Sequence, residues 1–308
     1  MAPPTTDSRR ETLIGIALVN VATLAWATNM LLGRYLRTDI GPITLAAARM
    51  AIAAIPFAWL LHRRPPEDRQ MKPDRGWMLA MALCGVTLFG PTLYLGLRYT
   101  TAVNATLING FGPIITGLLS FALIHEPMSR RQLTGALVGL AGIAVLITGG
   151  STATWRSLQI NIGDLIVLVA IALWGLYSVL ARRVMRHRSA LSTSAFSAFL
   201  GLPLLLVGSA WELQALPMNL TGRLVPFVVY IALVPTVIGM LAWNEGVRRL
   251  GSSGAMVFYN TMPLYGGLLG ALLLGETVGP AHLLGGALII SGGLWAARSA
   301  PARVRTRS

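Results

Sequence analysis

The sequence predicts an all-α membrane protein with ten transmembrane helices in two inverted five-helix repeats. Three observations carry that prediction. The 308 residues are 54% apolar and only 12% charged, against about 25% charged in an average soluble domain. Mean hydropathy is +0.65. The apolar residues fall into runs of about 20, the length a helix needs to cross a bilayer. The sequence also repeats itself. The run "FYNTMPLYGGLLGALLLGET" at 258–277 has a counterpart 150 positions earlier in "LINGFGPIITGLLSFALIHEP", residues 107–127.

The ten runs are 13–32, 42–62, 76–97, 101–123, 131–149, 162–181, 190–210, 224–244, 252–274 and 281–298. The basic N-terminal segment precedes an apolar run long enough to span and has no small-residue cleavage site, so it reads as a retained first helix. Basic residues then set the orientation. With the N-terminus in the cytoplasm, nineteen basic residues lie on the cytoplasmic side, five lie outside, and Arg49 lies within a span. Both termini are expected to be cytoplasmic, in a bacterial inner membrane. The division is a tail 1–12, a first repeat 13–149, a periplasmic linker 150–161, a second repeat 162–298 and a tail 299–308.

The repeat covers nearly the whole chain. Gly15, Trp26 and Arg34 match Gly163, Trp174 and Arg182 at an offset of 148. Gly96, Arg98, Ala105, Pro113 and Glu126 match Gly246, Arg248, Ala255, Pro263 and Glu276 at an offset of 150. Five spans per copy force the second copy to enter from the opposite side. Duplicated halves of opposite topology are a carrier architecture with a site near the midplane. A proline inside an apolar span removes a hydrogen bond, and neighbouring helices can tolerate the bend. Pro113 and Pro263, paired at one depth of both copies, read better as hinges.

These residues resemble the drug/metabolite transporter superfamily, and within it the EamA-type exporters. Each half carries a proline, a Gly-Leu-Leu run and then His-Glu (His125, Glu126) or Gly-Glu (Gly275, Glu276) before its fifth helix. The family more often has Gly-Glu, so His125 is a departure, expected to matter little for the fold. The nearest likeness is to bacterial aromatic-amino-acid exporters. The resemblance implies a central cavity and an amino-acid-exporting function.

Polar and aromatic residues within spans are the substrate-binding candidates: Trp26, Asn29, Tyr94, Asn109, Trp174, Tyr177, Trp243, Asn244, Tyr259 and Asn260. The Trp26/Asn29 and Trp174/Tyr177 pairs are spaced i, i+3 and so share a helix face. Their alternatives are interhelical glue for Asn and interface belts for Trp and Tyr. Arg49 lies about 10 Å into its span at 1.5 Å per residue; it either snorkels to the outer face or attracts a substrate carboxylate. Glu245 precedes Arg248 and Arg249, which suggests a local ion pair, with a coupling proton site as the other reading. Glu126, Glu276 and Asp164 suit helix capping. The glycines 135, 139, 142, 285, 286 and 292 read as close-packing stripes.

Other function classes fail on the residues. The basic excess, net +14, lies between apolar runs rather than in a stripe with surface aromatics, which argues against nucleic acid. "HEPMS" lacks the second His of a zinc-protease motif, and no P-loop occurs. "GSSG" at 251–254 has no mid-span His to activate Ser253. The expected function is an alternating-access secondary transporter exporting amino acids, aromatic ones favoured, by downhill transport, because no carboxylate lies at mid-membrane. The alternatives are a carrier of another small hydrophobic metabolite or drug, a proton-coupled antiporter, or a scaffold or enzyme without transport. No cofactor or metal is expected. The expected partners are a small-molecule substrate and the lipid bilayer, with the chain a monomer or homodimer.

Overall fold

A computed structural model describes residues 6–36, 38–71, 74–100, 105, 108–149, 151–156, 161–219, 222, 224–274 and 279–298. The expectations for Glu276, for tail 299–308 and for parts of the first tail and the linker lie outside these residues. All described elements are helical. Besides two short turns of helix, Pro66–Arg69 and Thr152–Arg156, they are α1 (Thr6–Tyr35), α2 (Pro42–His62), α3 (Arg75–Tyr99), α4 (Gly112–Ile124), α5 (Arg130–Thr148) and α6 (Ile162–Val184). Then come α7 (Ala190–Ala215), α8 (Leu224–Leu250), α9 (Ser252–Tyr259), α10 (Met262–Leu274) and α11 (Pro280–Ala297). Among the described residues eight helices are long and apolar enough to cross a membrane: α1, α2, α3, α5, α6, α7, α8 and α11. Large apolar side chains face outward, such as Leu118, Ile55 and Val207 at 67%, 72% and 70% exposure. Only lipid would cover so many. At two helix ends an arginine lies over a tryptophan, Arg63 on Trp59 at 3.9 Å and Arg183 on Trp77 at 4.4 Å. This is the arrangement of a bilayer interface.

The two runs containing the paired prolines are interrupted. α9 stops at Tyr259, Asn260 and Thr261 form a turn, and α10 begins at Met262. The first half turns in the same place, at Gly110 and Phe111, just before α4. The same bond opens both new segments: Ile114 donates to the Phe111 carbonyl and Leu264 to the Thr261 carbonyl, each at 3.0 Å. Pro113 and Pro263 therefore stand in a first turn, where a missing N–H is harmless and the ring has no earlier turn to strike. The expected bend within a continuous helix is a break followed by a restart.

Packing crosses between the halves. α1 lies against α8 and α6 against α3. Gly246 lets Val19 approach in one crossing, and Gly96 lets Val167 approach in the other. These are repeat-related contacts, and larger residues would separate the helices. α5 and α11 pack through the glycine stripes. A Cβ on Gly142 would stand 2.7 Å from the Gly285 carbonyl oxygen, and Gly135 meets Gly292.

The caps correct one expectation. Ser129 and Gln132 form a capping box at the start of α5, so Glu126 is not its cap. Glu126 instead pairs with Arg182 at 3.6 Å and Arg186 at 3.3 Å across the bundle. Asp164 does cap, in a box with Asn161. His125 ends α4 with φ 56°, in the left-handed region. A non-glycine residue costs roughly 1–2 kcal/mol there. Hence a glycine suits this position, and the departure at His125 carries a conformational penalty.

Candidate functional site

The two halves meet at an aromatic cluster. Trp26 of α1 and its repeat partner Trp174 of α6 touch edge to face, 4.9 Å between ring centres at 88°. Trp243 of α8 packs on both, at 5.2 and 5.7 Å. Tyr259 lies 6.0 Å from Trp26. Tyr177 stacks on Trp174 at 4.8 Å, with Phe89 at 4.9 Å from the same ring. Edge-to-face and offset geometry is what the aromatic quadrupole favours.

Beside this cluster lies a narrow cavity of about 40 Å³. Its aromatic wall is Trp26, Trp174, Tyr259 and Phe89. Four methionines, Met30, Met50, Met240 and Met262, add an adaptable apolar surface. Asn29, Arg49 and Thr236 bring polar groups.

The local backbone is unusual on both sides. α3 contains a π-helical stretch at Leu83–Leu88, and α8 contains one at Ala232–Ile238. These stretches occupy corresponding places in the two repeats. Wide π turns loosen the regular ladder and recur at functional sites. Gly85 and Phe89, in and after the first, line the cavity, as do Pro235 and Thr236 of the second. Trp26 uses the opening: its Nε1 donates to the Pro235 carbonyl at 2.9 Å. The Trp174 Nε1 is buried without a partner among the described residues.

Of the ten binding candidates, Trp26, Asn29, Trp174 and Tyr259 line the cavity. Tyr94 lies behind Asn29 and donates to its Oδ1 at 3.0 Å. Tyr177, Trp243 and Asn244 form a buried polar network beneath the rings. There Asn244 Nδ2 donates to the Tyr177 hydroxyl and to Ser194 Oγ, each at 2.7 Å, and Trp243 Nε1 donates to Ser178 Oγ at 3.1 Å. Asn109 and Asn260 flank the helix breaks, buried and outside the cavity lining, with unsatisfied amide atoms. Sequence reasoning missed Phe89, Thr236 and the four methionines. Repeat-paired polar residues drew attention, whereas a methionine in an apolar span carries no such signal.

Arg49 does not snorkel. It is 8% exposed, lines the cavity, and its guanidinium carbon lies 5.7 Å from the Tyr94 ring centre. Among the described residues it forms no hydrogen bond or ion pair, and its Nε is buried and unsatisfied. The carboxylate that approaches α2 is Glu212 of α7, a residue the sequence reading passed over. It accepts from the Ile43 and Thr44 backbone N–H groups at 3.1 and 2.7 Å and from the Thr44 hydroxyl. Its charge thus complements the N-terminus of α2. Glu245 ion-pairs with Arg248 and, at 2.6 Å, with Arg249, which also pairs with Glu11. No group of three or more metal-ligating side chains occurs among the described residues.

The EamA-like transporter family model matches the chain twice, over residues 13–148 and 161–297. The chain belongs to that family. It is therefore a multi-pass membrane transporter of the bacterial type, and the family is one of carriers rather than enzymes. It is similar to the uncharacterized transporter YyaM of Bacillus subtilis, 27% identical over 290 residues, 92% of each chain. A probable terminal-alkyne amino-acid exporter of Streptantibioticus cattleyicolor is 26% identical over 263 residues, 82% of this chain and 81% of its own. An S-adenosylmethionine/S-adenosylhomocysteine transporter of Chlamydia trachomatis is 25% identical over 288 residues, 91% of this chain and 88% of its own. One solved crystal structure has the same fold, at TM-score 0.74 and 24% identity, covering 95% of this chain and 98% of its own.

Proposed function

We propose that this EamA-family carrier exports amino acids, with aromatic side chains favoured, by alternating access through the cavity at the junction of its halves. The observation that carries this reading is the repeat-related pair Trp26 and Trp174, which meet where the halves meet and form one wall of the cavity. A flat apolar side chain gains most from such a wall. The relative named for amino-acid export supports the same class. The relative named for S-adenosylmethionine supports a larger solute with a planar part, which the methionine surface could accommodate.

In this reading the interrupted runs 101–123 and 252–274 complete the ten spans, and the second half is inverted relative to the first. Residues 13–149 and 162–298 are the two repeats, between short tails and a linker at 150–161. Pro113 and Pro263 keep the breaks open, so that α4 and α10 can tilt. The ends rich in arginine face the cytoplasm. Their ion pairs, Glu126 with Arg182 and Arg186 and Glu245 with Arg248 and Arg249, gather at one end of the bundle. Transport is downhill, because the carboxylate considered for coupling, Glu245, is neutralised there and the cavity lining contains none.

The test is purified protein in liposomes preloaded with labelled tryptophan. Saturable efflux and counterflow without any ion gradient are expected. Absence of saturable flux for tryptophan and every other amino acid would remove the proposal. Flux that requires a proton gradient would replace facilitated transport with coupled exchange.

A further inference from the structure

Resting on the reading of the cavity as the transport site, we infer that it is a monoanion site. Arg49 takes a carboxylate of the cargo, and among the described residues no carboxylate lines the cavity to counterbalance a cationic group. An aromatic carboxylate without an amino group therefore binds at least as tightly as the amino acid, and an aromatic amine is refused.

Charge within the membrane comes first. A guanidinium in a membrane span is expensive to hold, so it faces a cavity or a partner. Arg49 faces the cavity, more than nine-tenths buried, and has no ion-pair partner among the described residues. Among the described residues the lining contains no aspartate or glutamate. Glu212 is held by the first turn of α2 through Ile43 and Thr44, and Glu245 by Arg248 and Arg249. An anion of the cargo is then the group that completes Arg49, and a carboxylate suits its planar fork of donors.

The uncharged polar groups point the same way. Asn29 accepts from the Tyr94 hydroxyl at Oδ1, which leaves its amide nitrogen as a donor and one further lone pair on the oxygen. Trp174 presents a buried indole N–H without an acceptor. The Thr236 hydroxyl donates to the Ile231 carbonyl at 2.8 Å, so its oxygen is left only as an uncharged acceptor. The site thus offers one positive charge and two donors, while the acceptors left on Asn29, Thr236 and Tyr259 carry no charge to balance a cation. A cargo ammonium would meet aromatic faces, a weaker partner than a carboxylate, and would stand in the field of Arg49.

Three indole compounds isolate the groups: indole-3-propionate has only the carboxylate, tryptophan has both groups, and tryptamine has only the amine. Binding to purified wild-type protein is measured by ligand-induced thermal shift, and transport by competition in tryptophan counterflow. Indole-3-propionate is expected to bind and compete at least as well as tryptophan, and tryptamine to do neither. Arg49→Met should weaken indole-3-propionate by about a hundredfold, the usual effect of removing one partner of a buried charged pair. The ligand-free melting temperature of Arg49→Met should hold or rise, because an uncompensated charge is gone; a packing role would lower it. Arg49→Lys should restore part of the carboxylate binding.

Tryptamine binding as well as the acid, or undiminished acid binding by Arg49→Met, would overturn the inference. So would a fall in the melting temperature of ligand-free Arg49→Met. In those cases continued counterflow of tryptophan would leave the transporter reading standing. Absence of binding for all three compounds would overturn the inference as well, whereas the transporter reading falls only with absence of flux for every amino acid.

Discussion

The two halves are built on one plan, yet they present different chemistry at their junction. At the positions of Asn29 and Tyr94 in the first half, the second has Tyr177 and Asn244. Each half joins its pair by one hydrogen bond. The Tyr94 hydroxyl donates to Asn29 at 3.0 Å, and the Asn244 amide donates to the Tyr177 hydroxyl at 2.7 Å. The residue types are exchanged while the contact persists. The exchange has a steric consequence. Tyr177 lies directly on Gly85 in the π turn of α3. The smaller Asn29 leaves room for Trp26 to lie on Gly239 and reach the Pro235 carbonyl. Trp174 stacks on Tyr177 instead and keeps its N–H unmatched. Arg49 adds to the difference, because its counterpart at the offset of 148 is Ser197, which bonds to the Ser194 carbonyl. Duplication repeats the scaffold, and a few unequal residues make a polarised site from it.

The largest expected effect tests what the halves share. With Pro263→Ala, α9 and α10 can join across the turn, since nothing then forbids a continuous ladder. A shift of about 2.7 kcal/mol between access states changes their ratio roughly a hundredfold. Flux should fall on that scale with the melting temperature retained, and Pro113→Ala should do the same. Unchanged flux in both variants would reduce the prolines to passive features of the break.

The two tryptophans sharpen the contrast. Trp26→Phe removes the half-buried donor from the carbonyl of buried Pro235 and should lower stability by about 1–3 kcal/mol. Trp174→Phe removes a donor that has no partner, so stability should hold while substrate affinity falls by up to about tenfold. Thermal melts and binding isotherms on both variants decide this. Equal losses of stability would mean that the two rings are equivalent after all.

The exchanged pair gives a smaller effect of one sign. Tyr94→Phe and Tyr177→Phe should each lose about 1 kcal/mol, the net value of one hydrogen bond. Chemical denaturation of the two variants in detergent would measure it. A loss in one half alone would break the parallel between the pairs. The smallest effect is a gain: His125→Gly should stabilise by roughly 1 kcal/mol, by relieving the left-handed backbone at the end of α4.

Much of this was legible in the chain. The apolar runs dictated helices of spanning length, because a bilayer leaves a backbone no other way to pair its N–H and C=O groups. The offsets between repeats placed Trp26 opposite Trp174 and Pro113 opposite Pro263. The capping box at Asp164 and the Glu245 ion pair are local in sequence, within four residues, so local rules reached them. The glycine stripes announced the contact of α5 with α11.

Only the tertiary structure decided the rest. The breaks before the prolines depend on the packing of two segments, and hydropathy does not register a turn. The π stretches likewise leave no trace in an apolar pattern. Tyr94, Tyr177, Trp243 and Asn244 were cavity candidates by type, though Tyr94, Trp243 and Asn244 lie nearer helix ends, and crossing helices place all four behind the lining. Arg49 illustrates the division most sharply. The sequence by itself placed a charge inside a span, because spacing fixes depth. Whether that charge reaches the interface, meets Glu212 or faces an internal cavity depends on which helices pack beside α2: α7 and α8 from far along the chain as well as the nearer α3.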